Sequence, residues 1–219
     1  MRFWAGGSLK GKRVLDLGCL EGGYCAAFAK MGAARVVGVD VRPKNLERAA
    51  LVKHCLKLGN VDLRLADVRH VNRRYFGEFE IVFAAGILYH LDDPYSFLRS
   101  AAEMTLDVLF LDTHVARSGN QAHGASGGII EKTFGGKSYQ GQEMEEYPEE
   151  TTQDSYEDML WAAYGNSTSF WLTEHSLVEM LKDVGFAFVS KVYVPRGYRC
   201  LENCQDECRV ILVAKKSFS

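Results

Sequence analysis

The residues whose types and spacing suit chemistry stand directly after predicted strands, in turns that a parallel sheet brings to one edge. The first turn, residues 16–23, reads DLGCLEGG, and its glycines let the backbone approach a ligand closely. The second strand ends in Asp40, whose carboxylate can accept both hydrogen bonds of a ribose diol. This pair favours a nucleotide-like ligand, although glycine turns also occur in dinucleotide sites and plain tight turns, and Asp40 could instead cap a helix.

Two later turns add groups that can move protons. Residues 85–94 read AGILYHLDDP and place Tyr89 and His90 after the fourth strand. His90 is the leading candidate for a general base with Tyr89 as an orienting group, and His114 after the fifth strand reaches the same edge. The alternative for His90 is a capping or packing role. Carboxylates at strand ends are commonly just solvated, so we expect no bound metal here.

An aromatic stretch with the sequence LWAAYGNSTSFW occupies residues 160–171. Such a mixture is expected where an apolar wall meets a few orienting hydrogen bonds, and we interpret it as a surface for a small ligand. The alternative is that the aromatic side chains attach this segment to the core. The candidate contact residues are Trp161, Tyr164, Asn166, Phe170 and Trp171.

Strands and helices alternate along the first half of the chain, and strands that are apolar on both faces predict a parallel sheet covered on each side. Two further strands near the C-terminus predict a hairpin that closes the sheet edge. We expect one domain over residues 1–219, because a chain of 219 residues with 47% hydrophobic content suffices for one α/β core. The predicted strands cover residues 13–18, 35–40, 61–66, 80–85, 106–112, 186–194 and 209–215, and the predicted helices cover residues 24–31, 43–58, 94–103 and 173–184.

The connection between the fifth strand and the last helix, residues 113–170, is far longer than a simple connection. It is rich in Gly, Ser, Gln and Glu, and a segment of this kind is either functional or disordered. We interpret it as an insertion that forms a substrate lid. Residues 143–158 contain eight acidic residues and no basic one, which makes this segment a poor surface for phosphates.

The overall charge limits the classes of partner. The chain carries 26 basic and 28 acidic residues, so its net charge of -2 creates no field that draws it to nucleic acid or anionic lipid. It has no apolar leader and no uninterrupted apolar run of about 18 residues, the length that a membrane-spanning helix needs. We therefore expect a soluble, cytoplasmic protein.

The six cysteines fall into two groups. One group lies in apolar segments and is expected to be reduced and structural. The other forms a C-x3-C-x3-C run near the C-terminus that resembles a metal knuckle but has no obvious fourth ligand, so the sequence leaves metal binding there open. The first group is Cys19, Cys25 and Cys55, and the second is Cys200, Cys204 and Cys208.

The glycine turn carries the pattern D-x-G-C-x-x-G in Asp16, Gly18, Cys19 and Gly22, and it resembles the first motif of the class I methyltransferases that use S-adenosylmethionine. The resemblance spans nearly the whole chain. It implies an α/β fold with a Rossmann-like, doubly wound, seven-stranded sheet that is mostly parallel and has an antiparallel last strand. Leu20 departs from the variant of this motif that carries a third glycine, which predicts a less open turn.

The same resemblance implies a set of contacts with the cofactor S-adenosylmethionine. Asp67 would accept a hydrogen bond from the adenine amino group, although it could equally cap the following helix. The implied contacts are Asp16, Gly18, Cys19 and Gly22 in the turn near the methionine moiety, Asp40 and Val41 at the ribose, Asp67 and Val68 at the adenine, and Gly86 close to the cofactor.

The stretch from Gly86 to Pro94 resembles the G-x-L-Y-H-x-x-x-P segment of the tRNA wobble-uridine carboxymethyltransferases and of related small-molecule methyltransferases. Methyl transfer is an in-line displacement, so an enzyme must align the acceptor and, for a hydroxyl or ammonium group, remove a proton. We expect transfer of a methyl group from S-adenosylmethionine to an oxygen or nitrogen of a small-molecule acceptor.

Two other functions stay open at this point. The first is a tRNA-modifying methyl- or carboxymethyltransferase, which the charge and the acidic insertion disfavour. The second is a non-catalytic subunit that binds the cofactor. The sequence predicts neither the identity of the acceptor nor the oligomeric state.

Overall fold

Two β-sheets form the scaffold in a computed structural model, which describes residues 8–117, 125–147, 151, 163–192 and 208–217. The larger sheet contains β1 (Arg13–Leu17), β2 (Arg35–Asp40), β3 (Val61–Leu65), β4 (Phe79–Ala85), β5 (Thr105–His114), β9 (Phe188–Lys191) and β10 (Arg209–Lys215). Its strand order is β3-β2-β1-β4-β5-β10-β9. Neighbouring strands among β1 to β5 are parallel, and β10 is antiparallel to β5 and β9. The predicted fold is confirmed.

The helices are α1 (Gly23–Lys30), α2 (Pro43–Cys55), α3 (Arg73–Phe76), α4 (Pro94–Met104) and α5 (Glu174–Asp183), and residues Leu88–His90 form one 3-10 turn. Their starts follow from the sequence. Pro43 and Pro94 stand in first turns, where a missing N–H costs nothing. Asp93 and Thr173 cap α4 and α5 by accepting hydrogen bonds from the backbone N–H groups of Ser96 and Ser176.

Alternate residues of the central strands enter two different cores, one on each face of the large sheet. Val14, Val36 and Ile81 pack on the face that α1 covers, while Leu15 and Val82 pack on the face that α4 and α5 cover. Both sets are fully buried. This burial on both faces explains why the strands appear as continuous apolar runs in the sequence.

A glycine in β2 lets helix α1 approach the sheet closely. A Cβ atom at Gly38 would lie 2.6 Å from the sulfur of Cys25 and 3.0 Å from that of Cys19. Both cysteines are buried with free thiols, and Cys55 is also a free thiol. The close approach fixes the position at which the glycine turn leaves β1.

The insertion after β5 contains most of a second sheet, which the sequence did not predict. Strands β6 (Ala125–Phe134), β7 (Lys137–Glu145) and β8 (Thr168–Leu172) pair antiparallel in the order β6-β7-β8. Tyr139, Phe170 and Leu172 are buried in the same core as α4 and α5. The bounds of the insertion also differ from those predicted, because residues 113–114 belong to β5 and residues 168–170 to β8.

Several predicted features lie outside the described residues, among them Trp161, Cys200 and Cys204. Cys208 is described and forms no disulfide bond with another described cysteine. Within the described ranges, no three His, Cys, Asp or Glu side chains come together as metal ligands. No helix among the described residues combines the length and apolar character needed to cross a membrane.

Candidate active site

A cleft opens at the carboxyl edge of the large sheet, where β1, β2, β4 and β5 end. Connections at this edge are the usual ligand site of open α/β sheets. Its walls come from the glycine turn, from the turns after β2, β3 and β4, from the insertion and from the start of β10. The described residues that line it are Gly18, Leu20, Tyr24, Asp40, Val41, Arg42, Asp67, Val68, Arg69, Ala85, Gly86, Ile87, Tyr89, His90, Leu91, Ala163, Tyr164, Asn166 and Arg209.

Asp40 joins the glycine turn to the start of α2. Its Oδ2 accepts a hydrogen bond from the Leu20 N–H at 2.9 Å, and its Oδ1 accepts from the Arg42 N–H at 2.9 Å and from Asn45 Nδ2 at 3.1 Å. Leu20 adopts a φ of 47°, a left-handed conformation that glycine would take without strain. The carboxylate therefore holds the turn in shape at the position where related motifs carry a glycine.

Three predicted cofactor residues, Asp16, Cys19 and Gly22, are not among the described residues that line the cleft. Asp16 is only 1% exposed and accepts a hydrogen bond from the thiol of Cys25 at 3.2 Å. Burial raises the pKa of Asp16 to about 7. Gly22 is the N-cap residue of α1, and a Cβ there would stand 3.0 Å from that of Ala49. These residues therefore hold the glycine turn against the core and do not face the cleft.

Asp67 and Val68 line the far end of the cleft, beyond β3. Arg69 donates to both oxygens of Asp67, from Nε at 2.9 and 3.1 Å. Burial alone would raise the pKa of Asp67, but the hydrogen bonds and charge of Arg69 outweigh it and hold that pKa below its ordinary value. Arg69 also donates to the carbonyl of Tyr164 at 2.9 Å, so this end of the cleft is tied to the insertion.

His90 stands at the end of the 3-10 turn with its ring against a carboxylate. Its Nδ1 lies 2.8 Å from Oε2 of Glu146, and the two side chains are 14% and 8% exposed. Burial favours the neutral acid, yet the hydrogen bond and charge of His90, together with further hydrogen bonds such as that from the Ala163 N–H, outweigh it and lower the pKa of Glu146. An ionised carboxylate only accepts hydrogen bonds, so the proton between the two groups is on Nδ1 of His90, which leaves Nε2 as the ring nitrogen that can accept a proton.

His114 belongs to an aromatic cluster beside this pair. Its ring stacks on Trp171 at 4.9 Å and meets the ring of Tyr89 edge-on at 4.5 Å. The indole N–H of Trp171 donates to the carbonyl oxygen of Tyr89 at 2.8 Å. Burial lowers the pKa of His114 and raises that of Tyr89, so both side chains are neutral at pH 7. The cluster holds the Tyr89-His90 turn in place.

Arg209 is a site residue that the sequence interpretation missed. Its Nε donates to Oδ1 of Asp112 at 2.7 Å across the β5-β10 pair. Gly86 has a φ of 76°, and a Cβ there would stand 3.8 Å from the hydroxyl of Tyr89 and 4.0 Å from a terminal nitrogen of Arg209. The glycine therefore leaves open space under two polar groups at the centre of the cleft.

The predicted aromatic contacts divide into two groups. Tyr164 and Asn166 line the cleft, and Asn166 Nδ2 donates to the carbonyl of His90 at 2.9 Å. Phe170 is 1% exposed in the core, and neither it nor Trp171 is among the described lining residues. The sequence interpretation treated Glu146 only as part of an acidic segment, but its carboxylate is the partner of His90 Nδ1.

Comparison with known proteins agrees with this geometry. Residues 8–168 match the family described as methyltransferase domain. The chain therefore belongs to this family, and its sheet order and antiparallel last strand give it the class I fold.

Two curated relatives and one solved structure are similar to the chain. The tRNA U34 carboxymethyltransferase of Campylobacter hominis is 33% identical over 111 residues, which cover 48% of this chain and 38% of the relative. The ubiquinone biosynthesis O-methyltransferase of Bordetella pertussis is 37% identical over 99 residues, covering 45% and 40%. The N-terminal domain of EvdMO1, solved in the presence of SAH and D-fucose, is 27% identical with a TM-score of 0.71, covering 94% of this chain and 76% of that one. The alignments thus span less than half the length of both curated relatives.

Proposed function

We propose that this protein transfers a methyl group from S-adenosylmethionine to a hydroxyl oxygen of a small, polyhydroxylated acceptor, with His90 as the general base. The observation that carries the proposal is that His90, which lines a cleft beginning at a methyltransferase glycine turn, is paired with the carboxylate of Glu146. A base of this kind suits a hydroxyl acceptor, because the hydroxyl must lose its proton as the new bond forms.

The residues of the cleft fit this cofactor. The turn at Gly18 and Leu20 and the open space above Gly86 suit a methionine moiety, while Asp40 faces the region of a ribose. Val68 is apolar and 7% exposed beside Asp67, which suits one face and one edge of an adenine ring. When bound, S-adenosylmethionine supplies an electrophilic methyl group on a sulfonium sulfur.

The chain's own groups account for proton removal. Glu146 holds the Nδ1 proton of His90, so Nε2 can take the proton of an acceptor hydroxyl. The imidazolium that forms is then stabilised by a carboxylate 2.8 Å away. The neutral phenol of Tyr89 can donate a hydrogen bond that orients the acceptor, and Ala163 and Tyr164, which also line the cleft, limit access of water.

The acceptor class rests on two observations. EvdMO1 crystallised with D-fucose, a sugar whose hydroxyl groups need the deprotonation that His90 can provide. The cleft also offers several hydrogen-bonding side chains close together, among them Tyr89, Asn166 and Arg209. A compact molecule with several hydroxyl groups matches that combination.

The direct test is incubation of the protein with methyl-labelled S-adenosylmethionine and a panel of monosaccharides, sugar nucleotides, phenols, amines and thiols, followed by mass spectrometry. We expect a methyl ether on one class of hydroxyl compound. His90→Ala should lower kcat about 100-fold or more, and the exposed neighbour variant Glu145→Gln should retain it. No turnover with any hydroxyl compound, together with methylation of an amine or a thiol, would overturn the proposed acceptor.

A tRNA acceptor is the second candidate, favoured by the Tyr89-His90 turn and the carboxymethyltransferase relative. It requires basic side chains at the mouth of the cleft, and binding that weakens steeply with salt. A filter-binding titration with bulk tRNA at low and physiological salt separates the candidates. Submicromolar binding with a steep negative salt slope, accompanied by methyl or carboxymethyl transfer, would replace the small-molecule proposal.

A non-catalytic subunit is the remaining alternative. It would bind S-adenosylmethionine but turn over no acceptor in the panel or in bulk tRNA. Cofactor binding without any product would therefore favour that role.

A further inference from the structure

Ala163, Tyr164 and Asn166 line the cleft, and we refer to residues 163–166 as its cover. Arg42, only 5% exposed, donates to the carbonyl of Ala163 at 3.5 Å and places its guanidinium 5.3 Å from the ring centre of Tyr164. Arg69 donates to the carbonyl of Tyr164 at 2.9 Å. Both arginines follow strands whose ends would face the ribose and adenine, so this cover is attached at the cofactor end of the cleft.

The other attachment of the cover is Glu146. The Oε2 atom that contacts His90 Nδ1 at 2.8 Å also accepts a hydrogen bond from the Ala163 N–H at 3.1 Å. The Glu146 N–H donates to the carbonyl of Ser167 at 2.8 Å, which fixes the backbone directly after the cover. One buried carboxylate oxygen thus joins the base to the cover, although Glu146 itself is not among the described lining residues.

We propose that Glu146 is a positioning residue that couples the cover, residues 163–166, to the orientation of His90. This inference rests on the proposed function of His90 as the base. Because one oxygen holds both the Ala163 N–H and His90 Nδ1, disturbing either contact changes the other. A bound cofactor that contacts the cover then favours the His90 ring orientation in which Nε2 can accept a proton. By the same coupling, that ring orientation favours cofactor binding.

Glu146→Ala is the first variant, because it removes both contacts. It should lower kcat about 100-fold, the lower range for a positioned base, while KM for the acceptor changes less than about three-fold. It should also raise the Kd for S-adenosylhomocysteine (SAH), the demethylated form of the cofactor, about five-fold, which is the lower range of coupling between sites. The matched control is Glu145→Gln, an exposed residue of β7 whose change should affect neither quantity.

Glu146→Gln tests position separately from charge, because an amide oxygen in the place of Oε2 can accept from both partners. The Kd for SAH should stay within about two-fold of wild type, and kcat should be at least about ten times that of Glu146→Ala. Equal losses of kcat in both variants would contradict positioning. If Glu146→Ala does not fold, Glu146→Asp replaces it, since the carboxylate shortened by one methylene keeps its charge and should still lower kcat about ten-fold.

A double-mutant cycle with His90→Ala completes the test. In that background Glu146→Ala should have no further effect on kcat but should still weaken SAH binding, because the Ala163 contact does not involve His90. Independent, multiplying losses of kcat would overturn the coupling. If His90→Ala alone leaves kcat unchanged, the proposed base is wrong, whereas a large loss from His90→Ala with none from Glu146→Ala refutes only the inference about Glu146.

Discussion

Replacing Asp16 with asparagine should change how the stability of the protein depends on pH. The carboxyl of Asp16 is buried beneath the glycine turn, and its described side-chain hydrogen bond comes from the weakly polar thiol of Cys25. Desolvation raises its pKa from 3.8 to about 7, with a smaller contribution from the charge of Asp40. Asparagine keeps the size of the side chain but cannot ionise.

The direction and size of this pH effect on the free energy of unfolding follow from proton linkage. Between the unfolded pKa of 3.8 and the folded pKa of about 7, the folded chain holds a proton that the unfolded chain has lost. The contribution of Asp16 to stability is therefore complete below about pH 4 and is lost as the pH rises through 7. A difference of roughly three pH units, at about 1.4 kcal/mol each, amounts to about 4 kcal/mol.

Urea unfolding of wild type and Asp16→Asn at pH 5 and pH 8 measures this contribution. The stability of the variant relative to wild type should increase by about 3 kcal/mol between the two pH values. Asp62→Asn is a control, because hydrogen bonds from Arg35 and Arg64 outweigh burial and lower the pKa of Asp62, which stays ionised throughout. A relative stability of Asp16→Asn that is constant to within about 1 kcal/mol would refute the argument.

Three further variants test other parts of the site. Asp40→Ala removes the acceptor of the Leu20 N–H and should weaken SAH binding, measured by calorimetry, by about 1.5 to 3 kcal/mol. An unchanged affinity would contradict a role of Asp40 in cofactor binding. Gly86→Ala puts a side chain at a φ of 76°, and should lower the Tm by about 4 °C and raise the Kd for SAH; an unaltered Tm would mean that the turn relaxes without cost. Trp171→Phe loses the 2.8 Å hydrogen bond to the Tyr89 carbonyl and should reduce the free energy of unfolding by about 1 kcal/mol, whereas an equal or higher value would exclude a net contribution.

The large sheet could be predicted because its strands carry the signal in their own residues. Strands buried on both faces, such as β1 and β4, carry apolar residues at most positions, with Asp16 as a buried exception in β1, and therefore stand out from the helices between them. The small sheet could not be predicted in this way. Strand β7 has exposed positions between buried ones such as Tyr139 and Met144, and Gly141 packs against Phe170, so its pairing depends on partners distant in the sequence.

The same distinction applies to the site. The residues predicted from turns after strands, such as Asp40, Asp67 and His90, line the cleft because the carboxyl ends of parallel strands meet at one edge. Arg209 was missed because it begins β10, the last strand in the chain, and Glu146 was missed because it follows β7 of the small sheet, which was not predicted. No local spacing indicates that Glu146 pairs with a histidine 56 residues earlier.

Binding of the cofactor is the claim on which the other proposals depend, and calorimetric titration tests it most directly. Purified protein is titrated with SAH and, in a parallel experiment, with NAD⁺, since both ligands suit a glycine turn followed by an acidic residue. The account predicts a micromolar Kd for SAH that Asp40→Ala weakens, and no measurable binding of NAD⁺. Tight binding of NAD⁺ with no heat from SAH would contradict the assignment of the cleft to S-adenosylmethionine.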